Sequence, residues 1–146
     1  MMLLDANVLV YAVNADSPQH VASRGVVDAA LDGQVPGVLV PQVLLEFLAV
    51  VTHPHRVRRP LDPIRAWEQV ATLRAGLPVL EVRPAALTVL GELVMARRPA
   101  GADIFDLSLV AQMRTHGVAT ICTYNRPDFA RLTGVQALTP EEVLAR

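Results

Sequence analysis

A chain of 146 residues can bury roughly two-thirds of its unfolded surface around one core, so a single domain spanning 1–146 is expected. Its hydrophobic fraction of 52% is high, yet the longest strongly apolar stretch, Val43 to Val51, carries Glu46 at its centre and is far shorter than the ~20 residues a bilayer span needs, which excludes a membrane-spanning segment. The formal charge is −1 and all 13 cations are arginine, so chemistry that requires a lysine ammonium is excluded as well.

In chain order, Met2 to Leu4 reads as a first short strand. The opening MMLLDANV has no positive n-region and no small-residue cleavage site, so no secretory signal is expected and the expected location is cytoplasm. Pro18 to Leu31 reads as a helix with Ser17 as its N-cap, and Val35 to Val40 as the second strand. Helices follow at Gln42 to Val51 and at Asp62 to Ala75, the latter capped by Asp62 with Pro63 at its first position. A third strand is predicted over Pro78 to Val82 and a helix over Pro84 to Ala96. Asp103 to Thr115 is a further helix, ended by His116-Gly117, before a strand over Val118 to Cys122. A weaker strand near Gln136 to Leu138 and a short helical tail over Glu141 to Ala145 complete the chain. Strands alternating with helices imply an α/β fold whose parallel sheet is covered on both faces. The lone Cys122 can form no intrachain disulfide.

Five of the 14 carboxylates sit where packing alone would not put them. Asp5 follows MMLL, Glu46 interrupts VLLEFLAVV, Asp103 and Asp106 lie in GADIFDLSLVA, and Asp128 lies in NRPDF. An unpaired carboxylate drawn into a core costs of order 3 kcal/mol or more, so something cationic should meet them. In open parallel sheets reactive groups collect beyond the carboxyl ends of the strands, which is where Asp5, Glu46 and Asp128 would fall. Asp103 and Asp106, three apart on a helix, share a face and can address one ion. Oxygen-only sets suit Mg²⁺ or Mn²⁺, and His20, His53, His55 and His116 fall in loops or at helix ends where a surface or capping role serves them. Each acid also has an ordinary reading. Glu46 could be a charge at a helix margin, Asp103 an N-cap, Asp106 a first-turn acid favoured by the helix dipole, and Asp128 the start of a short helix. Capping accounts comfortably for one of them; it is a poor account of the set. Asn7, Thr123 and Asn125 are expected beside the acids as hydrogen-bond partners that orient them.

These segments carry a family resemblance over nearly the whole chain. LLDANVLVYAVNADSPQH resembles the opening of PIN-domain proteins, specifically VapC-type toxins of bacterial toxin–antitoxin pairs, and LLEFLAVVTHP and DLSLVAQMRTHGVATICTYNRPDFARLTGV match later motifs in order and spacing. The resemblance implies a three-layer α/β/α fold with a central parallel sheet of four to five strands. It also implies Mg²⁺- or Mn²⁺-dependent endoribonuclease activity, homodimerisation and neutralisation by a VapB-like antitoxin. Carried over by position, Asp5, Glu46 and Asp106 fall on the family's main acidic positions, and Asp103 is an additional acid one turn earlier. Many relatives have Asp where this chain has Asn125, ahead of a second acid that corresponds to Asp128, and an amide oxygen there binds a cation without neutralising it.

Setting the five acids aside turns the formal −1 into +4, so the remaining surface is mildly basic. Arg56, Arg58, Arg59, Arg65, Arg97 and Arg98 are the candidates for an RNA-backbone contact, against an ordinary role as solvated loop charges. With aromatic content of 4%, recognition by shape and phosphate fits better than extensive base stacking. Aspartyl-phosphate enzymes, response-regulator receivers and P-loop proteins rely on a lysine that this chain lacks. The live alternative is a catalytically silent module that keeps the fold and binds RNA or a protein, and Asn125 is the residue that favours it.

Overall fold

Met2–Leu4 (β1) is buried at every position and runs inside a four-stranded sheet whose order is Gly37–Val38 (β2), β1, Thr120–Cys122 (β3), Gln136–Leu138 (β4). The computed structural model describes residues 1–132 and 134–146. All three pairings are parallel, and β1 sets Leu3 beside Val38 on one side and Ile121 on the other. Parallel neighbours require long crossovers. Ala6–Val13 (α1) and His20–Leu31 (α2) connect β1 to β2. Pro41–Val51 (α3), Pro63–Gly76 (α4), Ala85–Arg97 (α5) and Asp103–Thr115 (α6) connect β2 to β3. Arg126–Ala130 (α7) leads into β4, and Pro140–Leu144 (α8) follows it.

The chain leaves β1 towards β2 and returns on the opposite side as β3. This reversal opens a crevice beyond the carboxyl ends of β1 and β3. Helices cover the sheet on both faces, giving three α/β/α layers; α1 packs on α2 and α3, α2 on α8, and α5 on α6. Leu3, Leu4, Leu9, Phe47 and Phe129 are among the fully buried side chains, each stabilising by about 1.5–3 kcal/mol. At Gly37 a Cβ would lie 2.9 Å from that of Ala30, so β2 passes α2 at a distance only glycine permits. No described helix is long and apolar enough to cross a membrane.

Several expected boundaries move. Ala6–Val13, for which the sequence gives no element, is helical: Asp5 caps it, and Ala6, Val8, Leu9, Val10 and Ala12 are buried on nearly every side, so no polar face reveals the helical period. The helix expected from Pro18 begins at His20 with Gln19 as its cap, while Ser17 Oγ accepts from Gln19 N at 3.2 Å. The strand expected over Val35 to Val40 shortens to Gly37–Val38. The strand expected over Pro78 to Val82 reduces to one bridge, Val79 to Leu39, because Pro78 has no N–H and Val82 turns out to solvent. Asp103 is a first-turn residue of α6, whose N-cap is Ala102. Asp62 and Pro63 begin α4 as expected, with Ile64 N donating to Asp62 Oδ1 at 2.9 Å.

Candidate active site

Register brings the first site residues together. Leu4 pairs with Cys122, so the next residue of each strand, Asp5 and Thr123, leave the sheet side by side, and Asp5 N donates to Cys122 O at 3.0 Å. Asp5 is buried, and every oxygen of its carboxylate is engaged. Oδ1 accepts from Ala6 N at 2.7 Å; Oδ2 accepts from Asn7 Nδ2 at 2.8 Å and Thr123 Oγ1 at 2.6 Å. Thr123, fully buried, also accepts from Asn7 Nδ2 at 3.1 Å and Asn125 N at 2.9 Å, and Asn7 Oδ1 accepts from Tyr124 N at 3.2 Å. Asn7, Thr123 and Asn125 thus form a hydrogen-bonded cradle around Asp5, Asn125 through its backbone.

The remaining acids come from helices. In α3, Val43, Leu44, Phe47 and Val51 face the core, which leaves Glu46 half-buried at the edge of that stripe, beside the crevice. Asp103 and Asp106 lie in the first turn of α6 and Asp128 in the first turn of α7, where the helix dipole favours negative charge. All five acids, with Asn7 and Asn125, line one open cavity of about 570 Å³. A second cavity of about 230 Å³ shares Asp103, Asp106 and Asp128 and adds Arg97 and Arg131.

The arginines divide. Arg56 is the one basic side chain on the wall of the larger cavity among the described residues. Arg59 forms a two-pronged ion pair with Asp16, both contacts at 3.0 Å, and Arg65 pairs with Glu68. Arg97 donates to the carbonyl of Arg131, and Arg98 ends α5 in the left-handed region at φ 50°. Arg58 is exposed.

Crowded carboxylates raise one another's pKa. Burial pushes Asp5 up, with the charge of Glu46 adding to it, while the bonds from Thr123, Ala6 and Asn7 pull the other way. Asp106 rises from 3.8 to about 6, chiefly by burial and then by the charges of Asp5, Asp128, Glu46 and Asp103. Only protons or a cation relieve such repulsion. The donors are all oxygens, which fits Mg²⁺ or Mn²⁺ rather than a softer ion. The side chains stand apart on the cavity wall, and among the described residues no three converge closely enough to enclose an ion as they stand.

Two further residues shape the site without standing out in the sequence. Gln42 precedes Glu46 by one helical turn, and its Nε2 donates to Glu46 Oε1 at 2.9 Å. Gln112, a buried polar residue in an otherwise apolar stretch of α6, donates to Gln42 Oε1 at 2.9 Å. Their i and i+4 spacing to Glu46 and Ser108 was the available clue.

Comparison with known proteins agrees with this architecture. A PIN domain family model matches residues 2–135. Ribonuclease VapC48 of Mycobacterium tuberculosis is 34% identical over 138 residues, covering 93% of this chain and 94% of the relative. Two solved structures share the fold at low identity. VapBC2 from Rickettsia felis bound to a promoter DNA fragment has TM-score 0.67 and 17% identity, covering 94% of this chain and 97% of that one. The sarcin–ricin loop cleaving toxin VapC20 of M. tuberculosis has TM-score 0.66 and 16% identity, covering 93% and 99%. Family match, relative and fold agree: this chain belongs to the PIN-domain family, in its VapC branch.

Proposed function

We propose that this chain is a metal-dependent endoribonuclease, the toxin half of a bacterial toxin–antitoxin pair, acting from a single domain in the cytoplasm. The observation that carries this reading is the gathering of Asp5, Glu46, Asp103, Asp106 and Asp128, from four separate elements, on one cavity wall where their mutual repulsion favours a bound cation. A bound Mg²⁺, or Mn²⁺ in its place, polarises water and neutralises charge on a phosphodiester. Asp5, Glu46 and Asp106 are the main ligands, with Asp103 and Asp128 beside them. The chain's own contribution is order. Asn7 and Thr123 hold Asp5 in one rotamer and favour its ionised form against the burial that opposes it, and Arg56 offers a cation to the backbone of RNA at the rim of an otherwise acidic cavity.

The partners follow from the same reading: an RNA substrate, a VapB-like antitoxin and a second copy of the chain. Exposed Ile64 and Trp67 on α4 and Val21 on α2 are apolar surface that association would cover. Cleavage of total RNA by purified protein with Mg²⁺, with Mn²⁺ and with EDTA, beside Asp106→Asn purified identically, tests the activity. Discrete metal-dependent products that vanish in the variant are expected. Equal cleavage by the variant, or none by either, would return the fold to a silent binding module.

A further inference from the structure

Glu46 and Asp106 stand on different helices, and their like charges push those helices apart. Gln42 opposes that push. Its Nε2 has two hydrogens and uses both, one on Glu46 Oε1 at 2.9 Å and one on the Phe105 carbonyl at 2.9 Å, the residue immediately before Asp106. Its Oε1 accepts from Gln112 Nε2 at 2.9 Å. One side chain therefore ties the α3 carboxylate to the α6 turn that carries Asp103 and Asp106.

The polarity of this chain of amides is forced. A carboxylate and a carbonyl are acceptors only, so Gln42 must turn its amino group towards them and its oxygen towards Gln112. Gln112 must then present its own amino group, which also lies 3.3 Å from the Ser108 carbonyl and hydroxyl oxygens. The consequence is visible at the far end: Gln112 Oε1 is buried without a hydrogen-bond partner among the described residues. A pair of amides kept merely to fill space would not leave an orphan carbonyl in a helix face otherwise buried through Leu109, Val110 and Met113. An apolar residue at position 112 would pack without that defect. The orphan is the cost of orienting Gln42.

We propose that Gln42 is a positioning residue for the reaction, and that Gln112 acts through it as the anchor of an amide relay fixing the Glu46 carboxylate against the first turn of α6. The assignment rests on the nuclease reading given above, and it concerns residues that stand behind the cavity wall rather than on it. Because Gln42 sits half-buried at the start of α3, Gln42→Ala leaves the core of the helix intact, and Gln112→Met preserves volume.

Four proteins decide it: the wild type, Gln42→Ala, Gln112→Met and the double variant, each checked for folding by circular dichroism. Cleavage kinetics on an RNA that the wild type cuts, and Mn²⁺ binding to the RNA-free protein by calorimetry, are the two readouts. Gln42→Ala should lower kcat and weaken Mn²⁺ binding by about 10–100-fold, as loss of a partner that orients a metal-ligating carboxylate does, with KM within about twofold. Gln112→Met should give a smaller loss in both, and the double variant should be no worse than Gln42→Ala alone, because one residue acts through the other. Wild-type kcat and Mn²⁺ affinity in a folded Gln42→Ala, or losses that multiply in the double variant, overturn the relay while leaving the nuclease intact. If the wild type cuts no RNA, the nuclease reading falls and calorimetry still judges the relay. A wild type that binds no Mn²⁺ overturns it too, since Glu46 would then be positioned for nothing.

Discussion

Thr123 Oγ1 donates a 2.6 Å hydrogen bond to Asp5 Oδ2, joining residues 118 positions apart at the adjoining ends of β1 and β3. The bond favours the ionised carboxylate against the burial that disfavours it. Thr123→Val keeps the shape and removes the donor, so the pKa of Asp5 rises further and the acidic limb of the cleavage pH profile moves to higher pH. Thr123→Ser restores the donor and should restore the limb. Profiles for the three proteins at saturating Mg²⁺ check this, and superimposable limbs for wild type and Thr123→Val would falsify it.

Burial, then the charges of the neighbouring carboxylates, raises the Asp106 pKa from 3.8 to about 6 in the folded chain. An acid whose pKa is raised by folding binds more protons when folded across that window, so metal-free stability falls as pH rises from about 4 to about 6. Thermal melts in EDTA should show wild-type Tm dropping more between pH 4.5 and 7.5 than that of Asp106→Asn. Mg²⁺ should then raise the wild-type Tm more at pH 7.5 than at pH 4.5, because a cation replaces the missing proton. Equal drops in the two proteins would show that Asp106 does not feel its neighbours.

Arg56 and Arg59 lie three residues apart in one loop and do different things. Arg59 is held by Asp16, an exposed pair worth about 0.2–1 kcal/mol, whereas Arg56 faces the cavity. Arg56→Ala should raise KM several-fold and reduce the slope of log affinity for single-stranded RNA against log salt by about 0.7, the value for one lost phosphate contact. Arg59→Ala should change the slope less and Tm by only a few degrees. Filter binding across a salt series distinguishes them.

Cys122 lies buried at the end of β3, and burial, followed by the charge of Asp5, pushes its thiol up to about 12. It holds no thiolate at neutral pH. Iodoacetamide should leave the native protein unmodified and label it fully after unfolding, and cleavage should be indifferent to reductant.

The sequence revealed the acids more readily than it revealed their surroundings. Asp5, Glu46 and Asp106 stand out because each breaks an apolar segment, and a charge in such a place has few reasons to be there. α1 escaped notice because burial on nearly all sides of Val8, Leu9 and Val10 erases the helical period that would have marked it. Pro78 to Val82 has the composition of a strand, but strand length is decided by pairing, and only Val79 finds a partner. Gln42 and Gln112 were silent for another reason: an amide reads as surface polarity until its partners are known, and those partners come from two helices separated by 70 positions. The arginines of the 56–59 loop look alike in sequence, and only the fold separates the one that meets Asp16 from the one that faces the cavity.

The carboxylate that caps α1 also forms part of the cavity wall. Its Oδ1 is committed to the first N–H of that helix, so Asp5 cannot swing freely towards an occupant without loosening Ala6. An occupant that drew Oδ1 away from Ala6 N would loosen the first turn of α1. Because α1 packs on α2 and α3, such loosening would be felt by both of those helices.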